Sequence, residues 1–132
     1  VSEHAADTPH ARIADDEELW RRLPPQHWML DEKMMPPMRR ISSAAFDDPE
    51  MSVVVARACA GGEATLLAGH DGFGIARFTA RDVRDLGGEV VWAPDDALPG
   101  HAHVTGFGER RDRKKRKALG ERCRIDPEPA LE

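Results

Sequence analysis

Three groups of residues in this 132-residue chain have types and spacings suited to chemistry. The first is a cationic run. Between Arg110 and Arg124 lie nine Lys or Arg side chains and two acids, Asp112 and Glu121, giving that segment +7. The rest of the chain holds 10 basic and 22 acidic side chains, hence −12, and the two parts together give the net −5. An acidic body with a basic C-terminal patch sets up a field that steers anionic partners. The second group is His101 and His103. On a strand, residues two apart share a face, so two imidazoles would stand side by side. They could ligate a metal with Cys59, Cys123 or an aspartate. A zinc site needs three or four protein ligands, and one His-x-His pair does not complete it. The third is Ser42 and Ser43, candidate nucleophiles if His101 or His103 served as base.

Each group has a structural reading beside its chemical one. Read as a helix from Glu109 to Leu119, the cationic run sets like charges four apart at Arg110–Lys114, Arg111–Lys115 and Arg113–Lys117. Opposite pairs at Glu109–Arg113 and Asp112–Arg116 offset them, each pair contributing about 0.2–0.5 kcal/mol. Only Ala118, Leu119 and Phe107 offer apolar contact, so the helix belongs on the surface. Arg110, Arg111, Arg113, Lys114, Lys115, Arg116 and Lys117 then form a contact surface for an anionic macromolecule, a nucleic acid or an acidic protein. The structural alternative is that these cations neutralise the protein's own acids. No aromatics interleave with them, so bases would find no stacking platform. The ordinary role for the histidines is one buried, hydrogen-bonded ring and a neighbour at a strand's start. The ordinary role for the serines is at a strand's edge, and no Gly-x-Ser-x-Gly elbow surrounds them. A further arrangement takes Arg22, then Ser42 or Ser43, then a late acid such as Glu89. That order is similar to the pattern of ADP-ribosyltransferase-like folds, which implies a nucleotide between these residues. Gly69-His70-Asp71-Gly72-Phe73-Gly74 precedes a strand, whereas a phosphate loop follows one, so it reads as a turn. No ligand set is complete, and the sequence calls for no metal and no cofactor.

The elements that would carry these residues are marked out by Gly and Pro. Residues 1–14 read as a disordered lead, 15–126 as one α+β domain with a small mixed sheet and short helices, and 127–132 as a disordered tail. Asp15 or Asp16 caps a helix over 17–22 that Pro24-Pro25 ends. Residues 26–38 read as a strand and loop whose methionines fill core gaps. Residues 40–46 form a short strand. Asp48-Pro49-Glu50 starts a helix to Ala60, with a strand at Val53-Val54-Val55 as its rival. A short helix spans 63–68. The clearest stretch is a strand at 73–78, a helix capped by Thr79 with Asp82 three residues on, and a strand at 89–93. That order could give a parallel pair. A strand at 101–105 and a last one at 122–125 flank the basic helix. Ile75, Val83, Leu86, Val91 and Val104 are expected in the core.

The chain also resembles a family of small hypothetical bacterial proteins over about residues 16–125. The likeness rests on Leu19-Trp20-Arg21-Arg22-Leu23-Pro24-Pro25, Ser42-Ser43-Ala44-Ala45-Phe46, Met51-Ser52-Val53, Gly72-Phe73-Gly74 with Phe78-Thr79-Ala80, and Ala102-His103-Val104-Thr105-Gly106 before a basic helix. Family members carry Gly-Lys-Lys after that strand and an aromatic near the end, where this chain has Phe107-Gly108 and Cys123. The resemblance implies one domain and brings no activity with it. With two distant cysteines, no secretory leader and no apolar run near the ~20 residues of a membrane span, the expected setting is cytoplasmic, with reduced thiols and no membrane.

Overall fold

The computed structural model describes residues 12–130. The expected lead therefore lies outside the described residues up to position 11, as do 131 and 132 of the expected tail. Eight strands and three α-helices follow in the order β1 (Glu18–Leu23), β2 (Trp28–Asp31), β3 (Met38–Ile41), β4 (Met51–Val55), α1 (Gly62–Leu67), β5 (Gly74–Thr79), α2 (Ala80–Asp85), β6 (Glu89–Trp92), β7 (His101–Thr105), α3 (Arg113–Arg122) and β8 (Arg124–Ile125). Six strands form one sheet in the order β6-β7-β4-β1-β5-β8, and β2 with β3 forms a separate hairpin. The architecture is α+β.

Every ladder is antiparallel. The pairing of 73–78 with 89–93 that the sequence allowed does not form, because β7, β4 and β1 stand between β6 and β5. Period-two alternation then sends side chains to opposite faces of the sheet. Leu19, Leu23, Met51, Val53, Val55, Phe78, Val90, Trp92, Ala102 and Val104 face the main core. Val83 of α2, Leu119 of α3, Phe46 of a 3-10 turn at Ser43–Phe46 and Phe107 of the loop after β7 cover them. On the other face Trp20, Val54 and Ile75 make a smaller cluster with Leu66 of α1 and Cys59.

Several local expectations are reversed by this pairing. The helix expected over 17–22 is strand from Glu18 onward: β1 pairs with β5 along its whole length, from Glu18↔Thr79 to Leu23↔Gly74. Both faces of β1 are covered, so Leu19 and Trp20 are buried on opposite sides, a sequence pattern that local reading takes for a helix. Residues 51–55 are strand for the same reason, and the Asp48 cap survives only as a turn, its carboxylate accepting from the Glu50 N–H at 2.9 Å. Ser43–Phe46 is a 3-10 turn, not a continuation of β3. Val91 points away from the core and is 51% exposed, whereas its neighbours Val90 and Trp92 are buried. The methionines of 26–38 do not fill the core either. Met29, Met34, Met35 and Met38 are exposed on the β2–β3 hairpin, while Met51 is fully buried. Both ends of the domain extend further than expected. Ile13 is in the main core, and Pro127 O accepts from the Ile75 N–H at 3.0 Å while the Ala130 N–H donates to Gly72 O at 2.8 Å.

The strand–helix–strand region follows its local chemistry. Thr79 and Asp82 form a reciprocal capping box, Thr79 Oγ1 accepting from the Asp82 N–H at 3.2 Å and Asp82 accepting from the Thr79 N–H at 2.9 Å. Ile75, Val83 and Val104 are fully buried, and Leu86 is partly buried against the main core that holds Val83 and Val104.

Candidate anion-binding groove

The cationic segment begins with a 3-10 turn, Arg110–Asp112, and continues as α3. Asp112, itself buried, accepts from the Glu109 N–H at 3.0 Å and starts the helix. Leu119 anchors one side of α3 in the main core. That attachment divides the nine cations. Five are tied to the protein. Arg116 is buried: its Nη1 donates to Phe107 O at 2.7 Å and Glu109 O at 2.8 Å, and it lies 3.9 Å from Asp47. Lys115 donates to Gly106 O, lies 3.7 Å from Asp112 and stands over the Phe107 ring. Arg111 pairs with Glu109 at 2.7 Å. Arg122 reaches Asp82 and Asp85, and Arg124 reaches Glu18. Of the seven expected contact residues, Arg111, Lys115 and Arg116 therefore have partners within the protein, and Lys115 and Arg116 hold the helix and its preceding loop together.

The other four, Arg110, Arg113, Lys114 and Lys117, are exposed and make no ion pair among the described residues. Three of them line a groove of about 530 Å³ between α3 and the hairpin, shared with Arg40, Ser42 and Ser43. Met29 completes its wall. Arg40 is held by Asp31 at 2.9 Å. Ser42 Oγ accepts from the Ala44 N–H at 3.2 Å, which leaves its hydroxyl proton available to a ligand. Such a groove offers three unpaired charges, a fourth paired one and two hydroxyl donors.

The residues of the enzyme alternative are dispersed. Ser42 and Ser43 belong to the groove beside α3. His101 and His103 project from the opposite face of the sheet, their rings edge-to-face with centroids 5.0 Å apart. His101 Nδ1 donates to Ala93 O at 2.8 Å, and His103 Nδ1 is 3.5 Å from the Glu50 carboxylate. Glu89 binds Arg84 at 2.7 Å on β6, with β7 and β4 between it and the strand of Arg22. Arg22 and His101 do share a space, a separate cleft within the sheet. Neither a Ser–His relay nor an Arg–Ser–Glu cluster is assembled. Among the described residues, no three His, Cys, Asp or Glu side chains gather as metal ligands. Cys59 and Cys123 are both free thiols, and burial pushes each above its ordinary pKa. No helix among the described residues is long and apolar enough to cross a membrane.

The sequence left out Arg40, which joins the groove through the β2–β3 register, Leu30↔Arg39 and Met29↔Arg40. Its only sequence signal was a second basic pair, Arg39-Arg40, ahead of the two serines. Fold and groove together define an α+β domain with a cation-lined surface groove. No family model matches the chain, and no curated protein and no solved structure matches it either.

Proposed function

We propose that this is a non-enzymatic binding or accessory protein that grips an anionic macromolecule in the groove between α3 and the β2–β3 hairpin. One observation carries the reading. Arg113, Lys114 and Lys117 leave the helix unpaired among the described residues and line one groove with Arg40, Ser42 and Ser43. A surface that only neutralised the acidic body would pair its cations internally, as Arg111, Lys115, Arg116, Arg122 and Arg124 do. Cations with hydroxyl donors between them suit the phosphodiester backbone of a nucleic acid. With no aromatic among the cations, binding is independent of sequence. An acidic protein surface is the second partner that fits.

Counterion release makes the reading quantitative. Three to four phosphates neutralised give a log–log salt slope of about −3, at roughly −0.9 per phosphate on a duplex. Affinity for duplex DNA then falls roughly 40- to 150-fold between ~50 and ~200 mM salt. Arg113→Glu, Lys114→Glu and Lys117→Glu together abolish binding and leave the melting temperature nearly unchanged, since exposed charges contribute little to stability. A slope near −8 would mean that the tied cations bind as well. No salt-sensitive binding to any nucleic acid, with retention on an acidic protein matrix, would move the assignment to the protein partner.

A further inference from the structure

The six-stranded sheet is split near its middle. β1 pairs with β5 along all of Glu18–Leu23, and β4 pairs with β7 from Met51 to Val54. Yet β1 and β4 pair only at Leu19↔Val55 and Trp20↔Val54. Continued, that register would set Arg21 opposite Val53, Arg22 opposite Ser52 and Leu23 opposite Met51, and none of these pairs forms. A central ladder ordinarily runs on, because each backbone N–H and C=O needs a partner. Here the strands part around a cleft of about 390 Å³, a size within the range of small-molecule sites.

Arg21 bridges the split, its Nε donating to Ala45 O at 2.9 Å and its Nη1 to Ser52 O at 2.7 Å. Arg22, on the other face of the strand, commits only its Nε, to Leu66 O at 2.6 Å. Its two terminal nitrogens have no partner among the described residues. His27 also lines the cleft, and its Nδ1 is buried without a hydrogen-bond partner among the described residues. Burial, and then the charge of Arg21, hold that imidazole below its ordinary pKa. Trp20, Leu66, Phe73 and Leu98 supply an apolar wall. The one acid lining the cleft, Asp95, already accepts from the Leu98 N–H at 2.7 Å.

We infer that this cleft binds a small organic anion, one phosphate or carboxylate group taken by Arg22 and an apolar body laid against Trp20, Phe73 and Leu98. A guanidinium with a free fork recognises planar or tetrahedral oxyanions through paired hydrogen bonds. The site shares no lining residue with the groove beside α3.

The test titrates phenyl phosphate and benzoate into the ¹⁵N-labelled full chain, with phenol as the uncharged control. Saturable shifts are expected at the Arg22 and Trp20 side-chain N–H groups, at His27 and at the amides of 52–54 and 95–98. The two anions distinguish a phosphate site from a carboxylate site, and the better one binds at least tenfold tighter than phenol. Arg22→Gln weakens that binding tenfold or more, whereas Lys114→Ala with Lys117→Ala leaves it unchanged, so the two sites stand or fall separately. Leu98→Trp fills the apolar wall without touching a cation, produces the same loss, and decides the matter if Arg22→Gln does not fold. Shifts that never saturate or that centre on α3, phenol binding as tightly as the anions, or wild-type affinity in Arg22→Gln or Leu98→Trp would overturn the assignment.

Discussion

Arg116 and Lys117 are neighbours in one basic run, and the structure gives them opposite jobs. Arg116→Met tests that division. The substitution keeps the apolar stem and removes the guanidinium, whose Nη1 holds Phe107 O at 2.7 Å and Glu109 O at 2.8 Å. Hydrogen bonds from a charged donor contribute about 1.5–3 kcal/mol each, and carbonyls left without a partner in a buried place lose their solvation as well. Two bonds made by one nitrogen do not add in full. The variant also relieves a buried Nε that has no partner among the described residues. The expected net loss is about 2–3 kcal/mol. At roughly 4 °C per kcal/mol for a domain of this size, the melting temperature falls about 8–12 °C. Arg113→Ala, Lys114→Ala and Lys117→Ala each stay within about 0.5 kcal/mol of the parent, since their side chains are exposed and unpaired. Urea denaturation followed by tryptophan fluorescence and far-ultraviolet dichroism measures all four. Arg116→Met within 0.5 kcal/mol of the parent would refute the division of α3 into holding and presenting cations, and so would a Lys117→Ala loss of equal size.

Three other predictions follow from the same geometry. Thr79→Ala removes half of the capping box at α2 and costs about 1 kcal/mol in an equilibrium melt, with Thr79→Ser recovering most of it. Gly88→Ala drives a methyl into the Phe107 ring and to 2.6 Å from Thr105 O, both fixed by the core, and destabilises by about 1–3 kcal/mol or more, visible as a lower urea midpoint. Arg84 donates to Asp15 at 2.6 Å and to Glu89 at 2.7 Å. Asp15 titrates below its ordinary value chiefly through that bond, and Glu89 through the Val90 N–H first and then Arg84. Carboxylates depressed in this way stabilise above their unfolded pKa and lose that contribution as pH falls through the folded one. Stability therefore declines from about pH 5 downward, and the decline is shallower in Arg84→Met, as acid titrations of both proteins would show.

What was legible in the sequence follows from how local the determining contacts are. The stretch from Gly74 to Trp92 was legible because Thr79, Asp82 and Gly87-Gly88 act within a few residues of themselves. β1 was not, and β4 was read only as the rival of a helix, because both lie inside the sheet with both faces covered. A strand buried on both sides loses its alternation, and Glu17-Glu18 with Arg21-Arg22 then imitates a helix with its dipole matched. Asp48-Pro49 is the same kind of ambiguity. Its side chain makes the bond expected of a cap, and the backbone turns into a strand because β7 is there to receive it. The single-residue error at Val91 has a simple cause. Period two says which residues share a face and not which face is inside.

The candidate sites obey the same rule. The groove beside α3 was half legible, since charge density can be counted along a chain, but which cations are engaged depends on Asp47, Gly106, Phe107 and Glu109 folding back onto the helix. The cleft in the sheet left no trace beyond Arg22, because it is made by a ladder that stops. Nothing in 18–23 or 51–55 says that pairing should end after Trp20↔Val54. Arg21 marks the place, its guanidinium bonding to Ala45 O and to Ser52 O of β4 where the β1–β4 backbone pairing has stopped. Arg21 and Arg22 are adjacent in sequence and separated by the plane of the sheet. One bridges the split from the core side, and the other is left with a free guanidinium fork on the far side. A pair of arginines that reads as the tail of a helix thus becomes, once β1 is a central strand, the arrangement that gives the sheet a binding cleft.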